Sequence, residues 1–80
     1  MLRYEYDRKR GAHKWSGEQH GARVRVDVNT QVLSDTLRWS WFVDVDNVYR
    51  WGSEPTRENA IRAAFARLRG MTSDESSSQR

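Results

Sequence analysis

From Thr36 to Trp51 a Trp-rich stretch largely alternates apolar and polar positions, turns at Asp46-Asn47 and runs back. Alternation is the period of a half-buried strand, because successive side chains leave opposite faces of a sheet. Two such runs joined by two turn-forming residues predict a β-hairpin. With Asp46-Asn47 as the loop, Val45 pairs with Val48, Asp44 with Tyr49 and Phe42 with Trp51. One face then carries Leu37, Trp39, Trp41, Val43, Val45 and Val48, which reads as core. The other carries Arg38, Ser40, Phe42, Asp44, Tyr49 and Trp51, an aromatic and polar mixture unusual for a solvated surface. Asn-Gly or Asp-Gly would be the stronger turn signal, and a slip of one residue in the second run would turn Tyr49 and Trp51 inward instead. Both registers remain open at this level.

Leu2 to Asp7 alternates with Leu2, Tyr4 and Tyr6 on one side, which predicts a first strand. Ala22 to Val28 alternates cleanly, with Val24, Val26 and Val28 against Arg23, Arg25 and Asp27. Arg8 to Gly21 contains Gly11, Gly17 and Gly21 and no apolar period, so it reads as a loop anchored by Trp15. Asn29 to Asp35 reads as a turn region, which Val32-Leu33 could shorten by extending the pairing.

Gly52-Ser53-Glu54-Pro55 breaks the sheet. Thr56 is placed to cap a helix, since its hydroxyl can accept from the orphan amides of the first turn. Glu58 lies in that turn, where the helix dipole favours an anion. Arg57 to Arg69 then recurs at helical spacing, with Ala60, Ile61, Ala64, Phe65 and Leu68 in one apolar stripe. Gly70 is the expected stop. Residues 71–80, rich in Ser and without apolar period, read as a disordered tail. The fold class that follows is α+β. A three- or four-stranded antiparallel sheet has one C-terminal helix packed on one face, and residues 1–70 form a single domain. Burying Ile61, Phe65 and Leu68 contributes about 1.5–3 kcal/mol each, a large share for so short a chain.

The absence of Cys excludes disulfides and thiolate metal sites and leans toward the cytoplasm. The start of the chain has no apolar run of the kind a signal peptide or membrane span needs, so a cytoplasmic protein without membrane contact is expected. The formal charge is +3, and all but two of the fourteen basic residues are Arg. Arginine offers a planar fork for phosphates and stacks on rings, although a GC-rich coding bias produces the same excess.

Catalytic chemistry is thin. Ser16, Ser34, Ser40 and Ser53 lie in no nucleophile-elbow or triad-like motif. His13 and His20 could join Glu18 or Asp27 around a metal, but two histidines without a clear third ligand are read as structural. Asp44 and Asp46 flank the turn and serve its geometry. No cofactor, metal site or enzymatic activity is expected.

Basic residues fall into three groups: Arg8, Lys9, Arg10 and Lys14 after the first strand; Arg23, Arg25 and Arg38 on the polar sheet face; and Arg62, Arg69 and Arg67 on the helix. Such clusters attract phosphate, and Phe42, Tyr49 and Trp51 beside Arg38 could stack on unpaired bases. Each group also has an ordinary reading. Glu58 precedes Arg62 by one turn, and Arg25 or Arg38 could pair with Asp27, Asp44 or Glu5. The three aromatics could be covered by the loop around Trp15 or by a second copy of the chain.

The hairpin followed by "EPTRENAIRAAFARL" resembles the strand-strand-strand-helix modules of the integrase arm-binding and AP2-like type. Thr56 and Ala60 match the Thr and the Ala four residues on that open the helix there, and the resemblance spans residues 22–69. It implies a sheet face that reads the major groove through Arg23, Arg25, Arg38, Ser40 and Tyr49. The Gly-rich hairpin turns of that family are missing, and Asp27 and Asp44 on the same face would repel phosphate. The expected function is a non-enzymatic nucleic-acid-binding module, for DNA in preference to RNA. Its expected site is Arg8, Lys9, Arg10, Lys14, Arg23, Arg25, Arg38, Phe42, Tyr49 and Trp51. The alternative is a protein-interaction module using the same aromatics: a homodimer, a complex subunit, or an inhibitor from a phage or other mobile element.

Overall fold

Two tight turns organise the sheet. His20-Gly21 (φ 54° and 79°) and Asp46-Asn47 (φ 48° and 71°) both hold two successive left-handed residues. That is the two-residue turn whose twist matches paired strands. The computed structural model describes residues 2–33 and 35–78. Ser34 and the last two residues of the expected tail lie outside them.

Among the described residues five strands follow one another: β1 (Leu2–Asp7), β2 (Ala12–Gln19), β3 (Ala22–Leu33), β4 (Thr36–Val45) and β5 (Val48–Glu54). They form one antiparallel meander in chain order. The helix α1 (Arg57–Ser78) closes the chain. The α+β class and the single helix on one face match the sequence reading, but the sheet has one or two more strands than expected.

The difference lies in β2 and in the length of β3. Residues 12–19 were expected in a loop, yet they pair on both sides, Trp15 with Tyr4 and with Val26. Trp15 is the one large apolar side chain in this strand, so the strand is specified by its two neighbours and not by its own pattern. Likewise β3 runs on to Leu33, pairing Val32 with Leu37, where a turn was expected. Trp15 therefore lies on the helix side and cannot cover Phe42, Tyr49 and Trp51.

The hairpin register is the one with Asp46-Asn47 as loop: Val45 opposite Val48, Asp44 opposite Tyr49, Phe42 opposite Trp51. Both aspartates serve the turn. Asp44 Oδ1 accepts from the Asn47 amide (2.9 Å), and Asp46 Oδ1 accepts from the Arg23 amide (2.9 Å). The Asp46 amide in turn donates to the Arg23 carbonyl (2.9 Å), so the turn also ends the β3–β4 ladder.

The core is a row of valines against a row of small helix residues. Val24, Val26, Val28 and Val43 are buried beneath Ala60, Ala64 and Leu68, with Ile61, Phe65, Trp39, Trp41 and Met71 partly buried around them. Thr56 caps the helix, its Oγ1 accepting from the Asn59 amide (3.1 Å). Gly70 does not stop it; the helix continues to Ser78. Glu58 pairs with Arg57 (3.4 Å), its neighbour, and not with Arg62 as the one-turn spacing suggested. Leu37 and Val48 lie on the expected face but stay exposed, because they stand at opposite ends of the hairpin.

Two features of this packing are testable. Trp41 lies flat over Gly52, its cross-strand partner, so that a Cβ on Gly52 would come within 2.7 Å of the indole. In an ordinary strand Gly to Ala is stabilising. Here Gly52→Ala is expected to cost about 1–3 kcal/mol, the range for an overpacked site, read as a lower urea midpoint. The second feature is His13, held on the helix side of β2, where burial and then the positive charge of Arg57 push its pKa below 6.5. His13 Nδ1 and the Tyr4 hydroxyl are hydrogen-bonded (2.7 Å). The folded state thus resists protonation that the unfolded chain accepts. Stability should be full above the ordinary histidine range and fall as pH drops through it. Thermal melts from pH 7.5 to 5 should show this loss in the wild type and less of it in His13→Gln.

Candidate nucleic-acid interface

Alternation sends every second residue of each strand away from the helix, and among the described residues no element packs on that second face. Its rows are fixed by the register. One runs Glu5, Lys14, Asp27, Phe42, Trp51; the next runs Arg3, Ser16, Arg25, Asp44, Tyr49. The open face therefore divides along the sheet. Charged residues occupy β1 to β3, and aromatics occupy β4 and β5.

The aromatic half is a connected group. The Phe42 and Tyr49 rings lie 5.4 Å apart, and the Arg25 guanidinium sits 5.4 Å above the Phe42 ring. Trp51 is 72% exposed, the most exposed large hydrophobic side chain among the described residues. It stands on the last strand and borders two hollows. One, on the open face, is lined also by Gln31, Ser40, Phe42 and Ser53. The other, on the helix side, is lined by Trp41, Arg50, Ala63, Ala66 and Arg67. Trp51 is thus the ridge between an aromatic face and a groove with two arginines.

The expected site residues do not form one patch. Arg25 Nε pairs with Asp27 Oδ2 (3.5 Å) while also resting on Phe42. Arg38 donates through Nε to Ser53 Oγ (3.2 Å) and through Nη2 to the Ser53 carbonyl (3.4 Å). Counted along β4 from Asp44, the partner of Arg25, Arg38 lies six residues away, about 20 Å at the rise of an antiparallel strand. Arg23 faces Glu18, and Lys14 stands between Glu5 and Asp27. Arg8, Lys9 and Arg10 are exposed on the β1–β2 turn, where Asp7 Oδ1 accepts from the Lys9 (3.0 Å) and Arg10 (3.3 Å) amides. That turn is at the opposite lateral side of the sheet from Trp51, about 15–19 Å across at the usual strand spacing.

The sheet thus brings together Arg25, Phe42, Tyr49 and Trp51, keeps Arg38 at one end of the same strands, and sets Arg8, Lys9, Arg10, Lys14 and Arg23 apart. Sequence reasoning did not include Arg50 and Arg67 in the site. Arg50 alternates onto the helix side of β5, and only the placement of α1 shows that Arg67 meets it there. Their shared groove depends on helix position, which carries no local sequence signal.

The two histidines lie apart, His13 among the rings of Tyr4, Tyr6, Trp15 and Trp39, and His20 in the β2–β3 turn. Among the described residues no group of three or more His, Cys, Asp or Glu side chains could hold a metal ion, and no helix is long and apolar enough to cross a membrane. In comparisons with known proteins the chain matches no family model, no curated protein and no solved structure.

The exposure of Trp51 can be measured directly. The other three tryptophans are at least partly buried, so Trp51→Phe should shift the emission maximum to the blue and remove most of the iodide-accessible fluorescence. Unchanged iodide quenching in that variant would place the exposed indole elsewhere.

Proposed function

We propose that the chain is a non-enzymatic module that binds single-stranded nucleic acid along the β4–β5 side of the sheet. The observation that carries the reading is the exposed Trp51, with Phe42 and Tyr49 behind it and arginines on both flanks. Arg25 lies toward the open face, and Arg50 and Arg67 lie in the groove against the helix. Flat rings accept any base by stacking, and arginines beside them hold the backbone without reading sequence. Asp27 and Asp44 reduce the charge of this region but do not cancel it. Arg25 offsets Asp27, and Arg50 and Arg67 leave the region net positive against the remaining charge of Asp44. Arg8, Lys9 and Arg10 lie too far across the sheet to share this site, and would contact only a strand that crosses it.

A second reading, a protein-interaction surface, draws on the other half of the face. There Arg3, Lys14, Arg23 and Arg25 alternate with Glu5, Glu18 and Asp27, a mosaic that suits a protein surface better than a polyanion. Exposed aromatics with Arg are also the side chains that dominate protein interfaces.

The experiment is a tryptophan-fluorescence titration with a short mixed-sequence single strand and its duplex. Saturating quench by the single strand is expected. Affinity should fall about seven- to fiftyfold between 50 and 200 mM salt if two to four phosphates are neutralised. Trp51→Ala should weaken binding by about 1–3 kcal/mol, the cost of one stacked base, and Arg50→Ala with Arg67→Ala should flatten the salt dependence. No quench at low salt, where phosphate attraction is strongest, would overturn the reading and leave the protein-interaction surface in its place.

A further inference from the structure

The two edges of this sheet are unlike. In an antiparallel sheet, backbone groups alternate between neighbours, and the residues flanking a two-residue turn bond each other. Counting outward from Gln19–Ala22 and Val45–Val48, the backbone groups of Tyr49, Trp51 and Ser53 point off the β5 edge. Those of Leu2, Tyr4 and Tyr6 point off the β1 edge. Two of the outward carbonyls of the β5 edge are engaged by arginines. Arg50 Nη1 donates to the Tyr49 carbonyl (2.7 Å), Arg38 Nη2 donates to the Ser53 carbonyl (3.4 Å), and Pro55 follows the strand. The β1 edge has no such cover among the described residues. It has no Pro and no inward-pointing charge, and it leaves Tyr4 52% and Tyr6 48% exposed. A bare edge with apolar side chains is a template for another strand.

We propose that this edge is a homodimer interface, in which β1 pairs antiparallel with β1 of a second copy about a two-fold axis at Tyr4. The choice of a second copy rests on charge complementarity within the strand. Centring the axis on Tyr4 places Leu2 opposite Tyr6, Tyr4 opposite Tyr4, and Arg3 opposite Glu5, with each unlike pair formed twice. Moving the axis by one residue either way sets Arg3 against Arg3 or Glu5 against Glu5, and like charges directly opposite are destabilising. In the Tyr4-centred register the outward-pointing groups of Leu2, Tyr4 and Tyr6 are those that bond. Arg3 and Glu5 then form the non-bonded pair, whose side chains stand closer. Both side chains are exposed, and among the described residues neither has an ion-pair or hydrogen-bond partner. The result is a continuous ten-stranded sheet with both helices on one side. A six-residue strand pair buries less than the ~1,200 Å² of a standard interface, so the dimer exchanges and its population depends on concentration.

The interface uses neither β4 nor β5, so it stands or falls apart from the nucleic-acid reading. The test is sedimentation equilibrium of the full chain over a wide concentration range at low salt. The average mass should climb from monomer toward dimer. Arg3→Glu and Glu5→Arg should each weaken association at least tenfold, because each sets like charges opposite one another, and the double swap should restore it. Urea midpoints close to wild type would show that each variant still folds, as expected for exposed side chains. The proposal is overturned by a wild type that stays monomeric at every concentration. It is equally overturned by single variants that associate as the wild type does, or by a double swap that fails to recover.

Discussion

The contact on which the rest depends is the close approach of α1 to β3 and β4 through Ala60 and Ala64. Both alanines are completely buried against Val24, Val26, Val28 and Val43. With no side chain beyond Cβ, the helix backbone settles directly on the valine row, and the larger Leu68, Ile61 and Phe65 fill the flanks. A larger residue at either position would lift the helix and open the valines to water, which in an 80-residue chain would cost much of its stability. The helix also has to follow from Glu54 at the end of β5 and cap at Thr56. Its footprint is therefore set over the β3–β5 half of the sheet.

Two surfaces follow from that footprint. Beyond the helix on the β1–β2 side, Leu2 and a set of rings packed on one another lie on the face: Tyr4 against Trp15 at 5.1 Å, Tyr6 against His13 at 4.8 Å, and Phe65 edge-on to Trp15 at 5.1 Å. On the other flank, Ala63 and Ala66 leave a groove in which Arg50 and Arg67 meet beside Trp51. Large aromatics fill the side that the helix does not reach, and small residues leave open the side where arginines collect.

The existence of the β4–β5 hairpin was legible in the sequence because two β-rich, largely alternating runs flank turn-compatible Asp and Asn side chains, although its register was not. The capped helix and its apolar stripe were legible as well. Strand β2 was not, since Ala-His-Lys-Trp-Ser-Gly-Glu-Gln has neither strong propensity nor a clean period. It becomes a strand because Tyr4 and Val26 offer partners for Trp15 on both sides. The His20-Gly21 turn, with both residues left-handed, was the local signal that could have revealed it. Which residues share the hairpin's open face depended on which of two registers the hairpin takes, and the sheet takes the one with Asp46-Asn47 as loop. Arg25 was among the cations expected there, but Arg50 and Arg67 were not, because they are separated along the chain and share a groove only through sheet register and helix placement.

The two edges give the molecule a division of labour that neither face alone would. A strand edge lined by Tyr49 and Trp51 would invite pairing with any exposed strand, and pairing there would bury the tryptophan on which the proposed base stacking rests. Arg50 and Arg38 engage the Tyr49 and Ser53 carbonyls, so Arg50, which brings positive charge to the aromatic side, also discourages strand addition to it, as does Arg38 at the strand's end. The β1 edge lacks that protection and carries instead an alternation of Arg3 and Glu5 that is complementary to itself turned around. In a dimer built there, the two Trp51 ridges lie at the far ends of one sheet. Each copy's stacking surface stays open, and the Arg8-Lys9-Arg10 turns come near the centre, flanking the axis. The basic turn that lies too far from Trp51 to share its site within one copy would then sit on the path between the two copies' sites.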